Sequence, residues 1–428
     1  MRLLASPLRP PGAARHGTRG LRVWIPTPAA VTVPRHVPVL GLPRPWTVFT
    51  PGPADGLAAL VSGWASAGGG TVAVLPDAFT RPCAATLLDA VRHASRGGAP
   101  LVLLHTGAGG EGLLRTLRRE APELAPLALE VAPSAAALAA ARDLAMTAAT
   151  SGRAGTGEVA VDADGLACST SWTRGALPRE PPPLRPGDLV VVTGGLGGLG
   201  RTVARRLAER LGVQPVLLDH IDPTTSGAHG SLSAMRASGL PFVHLPVDVT
   251  DGEAVRAVLR GVTRSKPVSA VVHCAGTIEG GMVRGLEPAD LLRLAAPKVE
   301  GLRAIMSAAD PRRLKVVLAF GSILARAPHR GVGAYALANE LLRREVDRLA
   351  RTAPGPRYLT AEWSIWDGAG VAAETGAVAT ARLAGYVPIR LAEGLAAVER
   401  LLAWRGPGTS VLLSEQPPEG NTPKKGQP

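Results

Sequence analysis

The chain predicts an α/β protein built on a doubly wound parallel sheet, and three observations carry the prediction. Short apolar runs of the fully buried kind, such as Leu314–Phe320 and Asp188–Val192, alternate with helix-length amphipathic segments. A glycine-rich stretch, Gly194–Gly200, sits between one such strand and the helix Arg201–Arg210. A proline-rich connector, Pro178–Pro186, divides the chain into two halves, each with its own strand and helix alternation. At 428 residues the chain is long enough for two cores.

In chain order, residues 1–20 read as a disordered arm, because prolines break them and no apolar core develops. Residues 1–54 lack Asp and Glu, but the Arg, Pro and Ala richness continues throughout the chain. Within 21–177, Thr71–Phe79 and Ala99–Thr106 read as buried strands, and Cys83–Ser95 and Ala135–Met146 as helices. A hairpin turning at Asp164-Gly165 closes this half. The loop Gly107–Gly112 could pass for a phosphate cradle, but no acidic residue on a following strand completes it, so it reads as structural. Residues 178–187 form a stiff linker, 188–414 a second α/β half, and 415–428 a polar tail.

The second half carries the chemistry. The strand Asp188–Val192, the tight loop and the helix place free backbone amides and a positive dipole end where a pyrophosphate would lie. Asp219 ends the next strand 19 residues past Gly200, where a carboxylate can accept hydrogen bonds from ribose hydroxyls. Ser322 falls at the end of the strand Leu314–Phe320, and Tyr335 and Asn339 share one face of the following helix. A hydroxyl, a phenol and a carboxamide so arranged suit proton donation to a carbonyl oxygen. Lys298 is one of five lysines against 42 arginines and lies 24 positions before Ser322. A cation near a phenol favours its ionised form.

The set Lys298, Ser322, Tyr335 and Asn339 resembles the catalytic set of ketoreductase domains from modular polyketide synthases, a branch of the short-chain dehydrogenase/reductases. In that branch Asn follows Tyr by four residues and Lys comes from an earlier helix. TGGLGGLG (Thr193, Gly194, Gly195, Leu196, Gly197, Gly198, Leu199, Gly200) is similar to the branch's cofactor loop. The resemblance is strong over 188–414 and loose over the first third. It implies a Rossmann-type catalytic subdomain preceded by a degenerate Rossmann-like subdomain that binds no cofactor. It further implies that Asp248 and Val249 frame the adenine, that Ala275 and Gly276 lie under the cofactor, and that Glu279, Trp363 and Trp366 border the substrate. The implied reaction is hydride transfer from NAD(P)H to the β-keto group of an acyl chain on an acyl carrier protein. No synthase, transferase or carrier motif is visible, so action in trans is expected, or an adjoining module lies outside this chain. A silent scaffold that docks carrier proteins and an epimerase are the alternative uses of such a fold.

Departures from the branch's pattern bear on specificity. Asp219-His220 stands where the branch has Ser-Arg for the 2′-phosphate of NADPH; the carboxylate favours NADH, whereas family habit favours NADPH. Ile278-Glu279-Gly280 lacks one stereochemical fingerprint, and Ala327 replaces the Trp of the other, so the product's hand stays open. Gly321, Arg326 and Ser364 also depart from it. The formal charge of +13 suits an acidic protein partner; its arginines are dispersed without interleaved aromatics, which argues against nucleic acid. Cys83, Cys168 and Cys274 show no metal or disulfide spacing and fit a reducing cytoplasm. No run of 18 apolar residues predicts a membrane span.

Overall fold

The structure, a computed structural model, describes residues 21–34, 44–52, 56–66, 69–151, 157–222, 224–264, 266–327, 329–370, 377–383 and 386–418. The expected arm (1–20) and the part of the expected tail beyond 418 lie outside them.

The first half runs β1 (Arg22–Val31), β2 (Arg44–Phe49), α1 (Gly56–Val61), β3 (Ala65–Ser66), β4 (Gly70–Leu75), α2 (Arg81–Gly97), β5 (Leu101–His105), α3 (Glu111–Glu120), β6 (Leu127–Val131), α4 (Ala135–Ser151), β7 (Glu158–Val161) and β8 (Ala167–Gly175). Local chemistry sets several bounds. Pro76 follows the last residue of β4 and has no N–H for the ladder. Pro82 lies in the first turn of α2, and Gly98, with φ +60°, closes that helix in the left-handed region. Gly165 (φ +83°) supplies the turn of the predicted hairpin, in which Val161 faces Ala167.

The second half runs β9 (Leu189–Thr193), α5 (Gly198–Leu211), β10 (Gln214–Asp219), α6 (Ser226–Ala237), β11 (Val243–Pro246), α7 (Gly252–Thr263), β12 (Val268–His273), α8 (Pro288–Ala308), β13 (Val316–Ser322), α9 (Gly333–Thr352), β14 (Arg357–Trp363), β15 (Trp366–Asp367), α10 (Ala377–Leu383), β16 (Ile389–Arg390), α11 (Leu391–Leu401) and β17 (Ser410–Ser414). Its strands lie in the order β11-β10-β9-β12-β13-β14-β17, all parallel. Helices α5, α6 and α11 cover one face, and α7, α8 and α9 the other. This is the doubly wound arrangement, with its order reversing between β9 and β12.

The two halves share a single 15-stranded sheet. β1 joins them, pairing antiparallel with β17 over Arg22–Trp24 and with β8 over Val23–Val31. Its prolines, Pro26 and Pro28, lie beyond the β17 pairing, on a stretch with only one strand neighbour, where a missing N–H is tolerated. Helices α8 and α9 also span the junction. Leu291, Leu294, Ala334 and Leu337 near their starts pack into the core of α2 and α3, while Leu302, Ile305, Val346 and Leu349 near their ends pack on the second sheet.

Candidate active site

The C-terminal edges of β9, β12 and β13 bring the predicted groups together. Thr193 ends β9 fully buried, and its hydroxyl accepts hydrogen bonds from the Cys274 and Ala275 amides, both at 3.1 Å. The same hydroxyl lies 2.8 Å from His273 Nδ1, and His273 Nε2 lies 2.9 Å from the Lys298 carbonyl. With the Thr193 hydroxyl as donor, Nδ1 accepts and Nε2–H donates to Lys298 O, so one neutral tautomer satisfies every contact. Burial, reinforced by the Lys298 charge, pushes the His273 pKa down to about 3, which keeps the ring neutral. Sequence reading passed over His273 because a lone His at a strand end carries no motif of its own.

Lys298 reaches the site past Gly276 (φ +154°), where a Cβ would stand 2.8 Å from the lysine Cε. Its Nζ donates to the Phe320 carbonyl at 3.1 Å and lies 6.0 Å from the centre of the Tyr335 ring. Burial lowers the Lys298 pKa to about 8 and raises that of Cys274 to about 12. Ser322, buried at the end of β13, accepts from the Leu324 amide at 3.2 Å. Tyr335, in the first turn of α9, has its pKa raised by burial, and hydrogen bonds with Asn339 and Ser322 oppose that rise. The Lys298 ammonium donates to the Phe320 carbonyl, so what it brings to the phenol is its charge, 6.0 Å from the ring centre. Asn339 is fully buried: its Nδ2 donates to the Tyr335 carbonyl at 2.8 Å, and its Oδ1 has no hydrogen-bond partner. An orphaned acceptor of that kind suits a bound water.

The glycine loop fits a dinucleotide. A Cβ at Gly200 would stand 2.2 Å from Gly194 O, and one at Gly195 2.7 Å from Leu217 Cβ, so both positions are closed to side chains. Gly194 has φ +62°, Gly197 caps α5, and the first-turn amides of a helix have no intrahelical acceptor. Leu196 is buried in the core below the loop, while Gly198 and Leu199 begin α5. Asp219 is buried at the tip of β10, where its carboxylate accepts from the Leu196 amide at 2.9 Å and the Ile221 amide at 3.1 Å. It therefore faces the glycine loop, not solvent. His220 Nδ1 is 3.6 Å from it on an exposed ring, and Arg201 donates to Ser231 at 2.8 Å. Asp248 closes an Asx turn onto Thr250, and Val249 is buried against Gly301, where a Cβ would stand 2.8 Å from Val249 Cγ2.

The residues expected to border the substrate are dispersed. Glu279 is exposed and paired with Arg293 at 2.8 Å. Trp363 and Trp366 lie within the core, their rings 4.9 Å apart and Trp363 5.3 Å from Phe320. They share one apolar core cluster with residues of α5 and α11, so they are core residues and not surface ones. The departures at Gly321 and Arg326 have packing causes. A Cβ at Gly321 would stand 3.0 Å from Thr360 Cγ2. Arg326 is half-buried, with Nε 2.9 and 3.0 Å from the two oxygens of Glu362 and its guanidinium 5.4 Å from the centre of the Trp172 ring.

The loop Gly107–Gly112 is filled from within the protein. The Gly110 and Gly112 amides donate to the two oxygens of Glu340 on α9, at 3.0 and 2.7 Å. Arg344 bonds Glu340, Glu111 and Glu130, and His105 lies 3.1 Å from Glu111. Burial pushes Glu111 upward, but Arg344 and His105 bring it well below the usual carboxylate range; burial and the Glu111 charge raise Glu340 to about 7. A carboxylate thus sits where a phosphate-binding loop would take its ligand.

Comparison with known proteins agrees with this architecture. The family profile described as the KR domain matches residues 189–368. The polyketide synthase ThaG of Burkholderia thailandensis is 31% identical over 273 residues, covering 62% of this chain and 5% of that protein. The 5-methyl-1-naphthoate synthase of Streptomyces sahachiroi is 29% identical over 322 residues, 71% of this chain and 17% of that protein. The chain thus spans a small part of the curated relatives it matches. Among solved structures, the PlmKR1 ketoreductase from the first module of phoslactomycin biosynthesis in Streptomyces sp. HK803 superposes with a TM-score of 0.74 at 21% identity, over 92% of this chain and 93% of that one. The first ketoreductase of the tylosin synthase gives a TM-score of 0.71 at 24% identity, over 92% of both chains. Together with the placement of Lys298, Ser322, Tyr335 and Asn339, these matches identify residues 189–368 as a stretch of the KR domain kind, similar to the ketoreductase domains of polyketide synthases.

Proposed function

We propose that the chain reduces the β-keto group of an acyl chain held on the phosphopantetheine arm of an acyl carrier protein. The observation that carries the reading is the convergence of Tyr335 and Ser322 at the end of β13, bordered by Lys298 and Asn339. A bound nicotinamide supplies the hydride that reaches the carbonyl carbon. The oxygen takes its proton from the Tyr335 hydroxyl, and the Ser322 hydroxyl holds that oxygen in place. Lys298 holds the end of β13 through Phe320 O and keeps a positive charge beside the phenol. A water at Asn339 Oδ1 would return a proton to the tyrosine.

The cofactor we propose is NADH in preference to NADPH. Asp219 is fixed by two backbone amides at the strand tip, where its charge repels a 2′-phosphate and leaves lone pairs for a 2′-hydroxyl. The partner is an acyl carrier protein, an acidic one suiting a chain of charge +13. The test is spectrophotometric. Cofactor oxidation that starts only when a simple ketone is added supports the reading, and cofactor binding without any ketone-dependent oxidation refutes it.

A further inference from the structure

Glu120 lies at the last turn of α3, in the half that carries none of the reactive groups, yet both its oxygens serve the other half. Its Oε2 accepts from the Val283 amide at 2.8 Å and its Oε1 from the Gly331 amide at 2.8 Å. Val283 ends the loop that leaves β12, and Gly331 lies on the loop between Ser322 and Tyr335. The two loops also bond directly, Gly281 N–H to Gly331 O at 2.9 Å, and Gly281 and Val332 form an isolated parallel bridge. The contact reaches the catalytic helix, since a Cβ at Gly333 would stand 2.7 Å from Val283 Cγ2, two residues before Tyr335. Hydrogen bonds from amides to a carboxylate are among the stronger ones, and here one carboxylate joins two segments that have no covalent neighbour in common. The clamped loop after β12 also carries Ile278 and Met282, two of the three exposed large apolar side chains among the described residues.

We propose that Glu120 is a positioning residue for the reductase reaction: it clamps the two loops into one rigid lip whose Ile278 and Met282 contact an apolar acyl chain. The inference rests on the reductase reading above. A lip that cannot shift presents the ketone to the hydride in one orientation, so the clamp governs which face is attacked. Glu120 touches no reacting atom.

The test uses the full chain with Glu120→Ala and Glu120→Asp, the latter one methylene too short to serve both amides. The measurements are thermal unfolding, cofactor binding by fluorescence, reduction of a racemic decalone with its product ratio, and hydrogen exchange of the segments spanning Ile278–Val283 and His329–Gly333. The expected result is a folded variant with wild-type cofactor affinity, a KM for the ketone raised about tenfold, a less selective product ratio and faster exchange in both segments. A folded variant with the wild-type KM, product ratio and exchange overturns the proposal. If Glu120→Ala fails to fold, Glu120→Asp decides, and failure of both makes Glu120 a folding residue and also overturns it. A wild-type chain that reduces no ketone refutes the reductase reading and the positioning role with it, while the exchange measurement still decides whether the clamp exists.

Discussion

At the residue scale, Lys298 is the group whose environment makes the sharpest prediction. Burial brings its pKa from 10.5 to about 8. The folded protein therefore loses this proton as pH rises through about 8, and with it the charge beside Tyr335, while the neutral amine keeps N–H groups for the Phe320 carbonyl. Turnover should fall across that interval, read from kcat against pH. Stability moves the other way. Between about pH 8 and 10.5 the unfolded chain holds the proton that the folded one has released, so the cost of burying the ammonium, present below 8, is relieved as pH rises. Thermal melts over the same range separate the two effects, and parallel losses of turnover and stability would contradict this assignment. Asp219 makes the second prediction. Asp219→Ser should shift the ratio of kcat/KM for NADH over NADPH by about tenfold toward NADPH, equivalent to about 1.4 kcal/mol. A wild type that already favours NADPH by tenfold would show that the carboxylate does not govern the choice.

At the element scale, the crossing of α3 and α9 depends on a missing side chain. A Cβ at Gly112 would stand 2.7 to 2.9 Å from the backbone of Ala336 and Leu337. Helix propensity alone favours Gly112→Ala by about 1 kcal/mol. Overpacking against a rigid backbone should win, for a net loss of about 1–3 kcal/mol in denaturant unfolding. A stabilised variant would show that the two helices are free to separate. The elements themselves were legible to very different degrees. Leu314–Phe320, Asp188–Val192 and the helix after Gly200 announce themselves because a fully buried strand is a continuous apolar run and a glycine loop has few other uses. β1 was not legible, since Pro26 and Pro28 argue against a strand until the single-neighbour edge is seen. The candidate set Lys298, Ser322, Tyr335 and Asn339 could be picked out by spacing, but the direction in which Lys298 points could not, because it depends on the Phe320 carbonyl that only folding brings near. Trp363 and Trp366 could be placed in the sequence but not on a surface or in a core.

At the scale of the whole molecule, the first half supports the half that carries Ser322 and Tyr335. β1 covers the edge of β17, Glu340 on α9 caps the α3 loop, and Arg115 on α3 donates to the Ala325 carbonyl just past Ser322. None of these contacts joins residues near in sequence, which is why Arg115, Glu120 and Glu340 carry no signal until the sheet is assembled. On the proposed reading, such support preorganises Tyr335 and Ser322 for a ketone oxygen, so removing the proposed proton donor should remove the reaction and leave the fold. The most direct measurement is NADH oxidation with a decalone by the wild type and by Tyr335→Phe, with both chains checked for folding by circular dichroism. The wild type should oxidise NADH only in the presence of the ketone, and Tyr335→Phe should lose about 10²–10⁴-fold in turnover. A folded Tyr335→Phe variant that turns over near the wild-type rate, or a wild type that leaves the ketone untouched, would contradict the assignment.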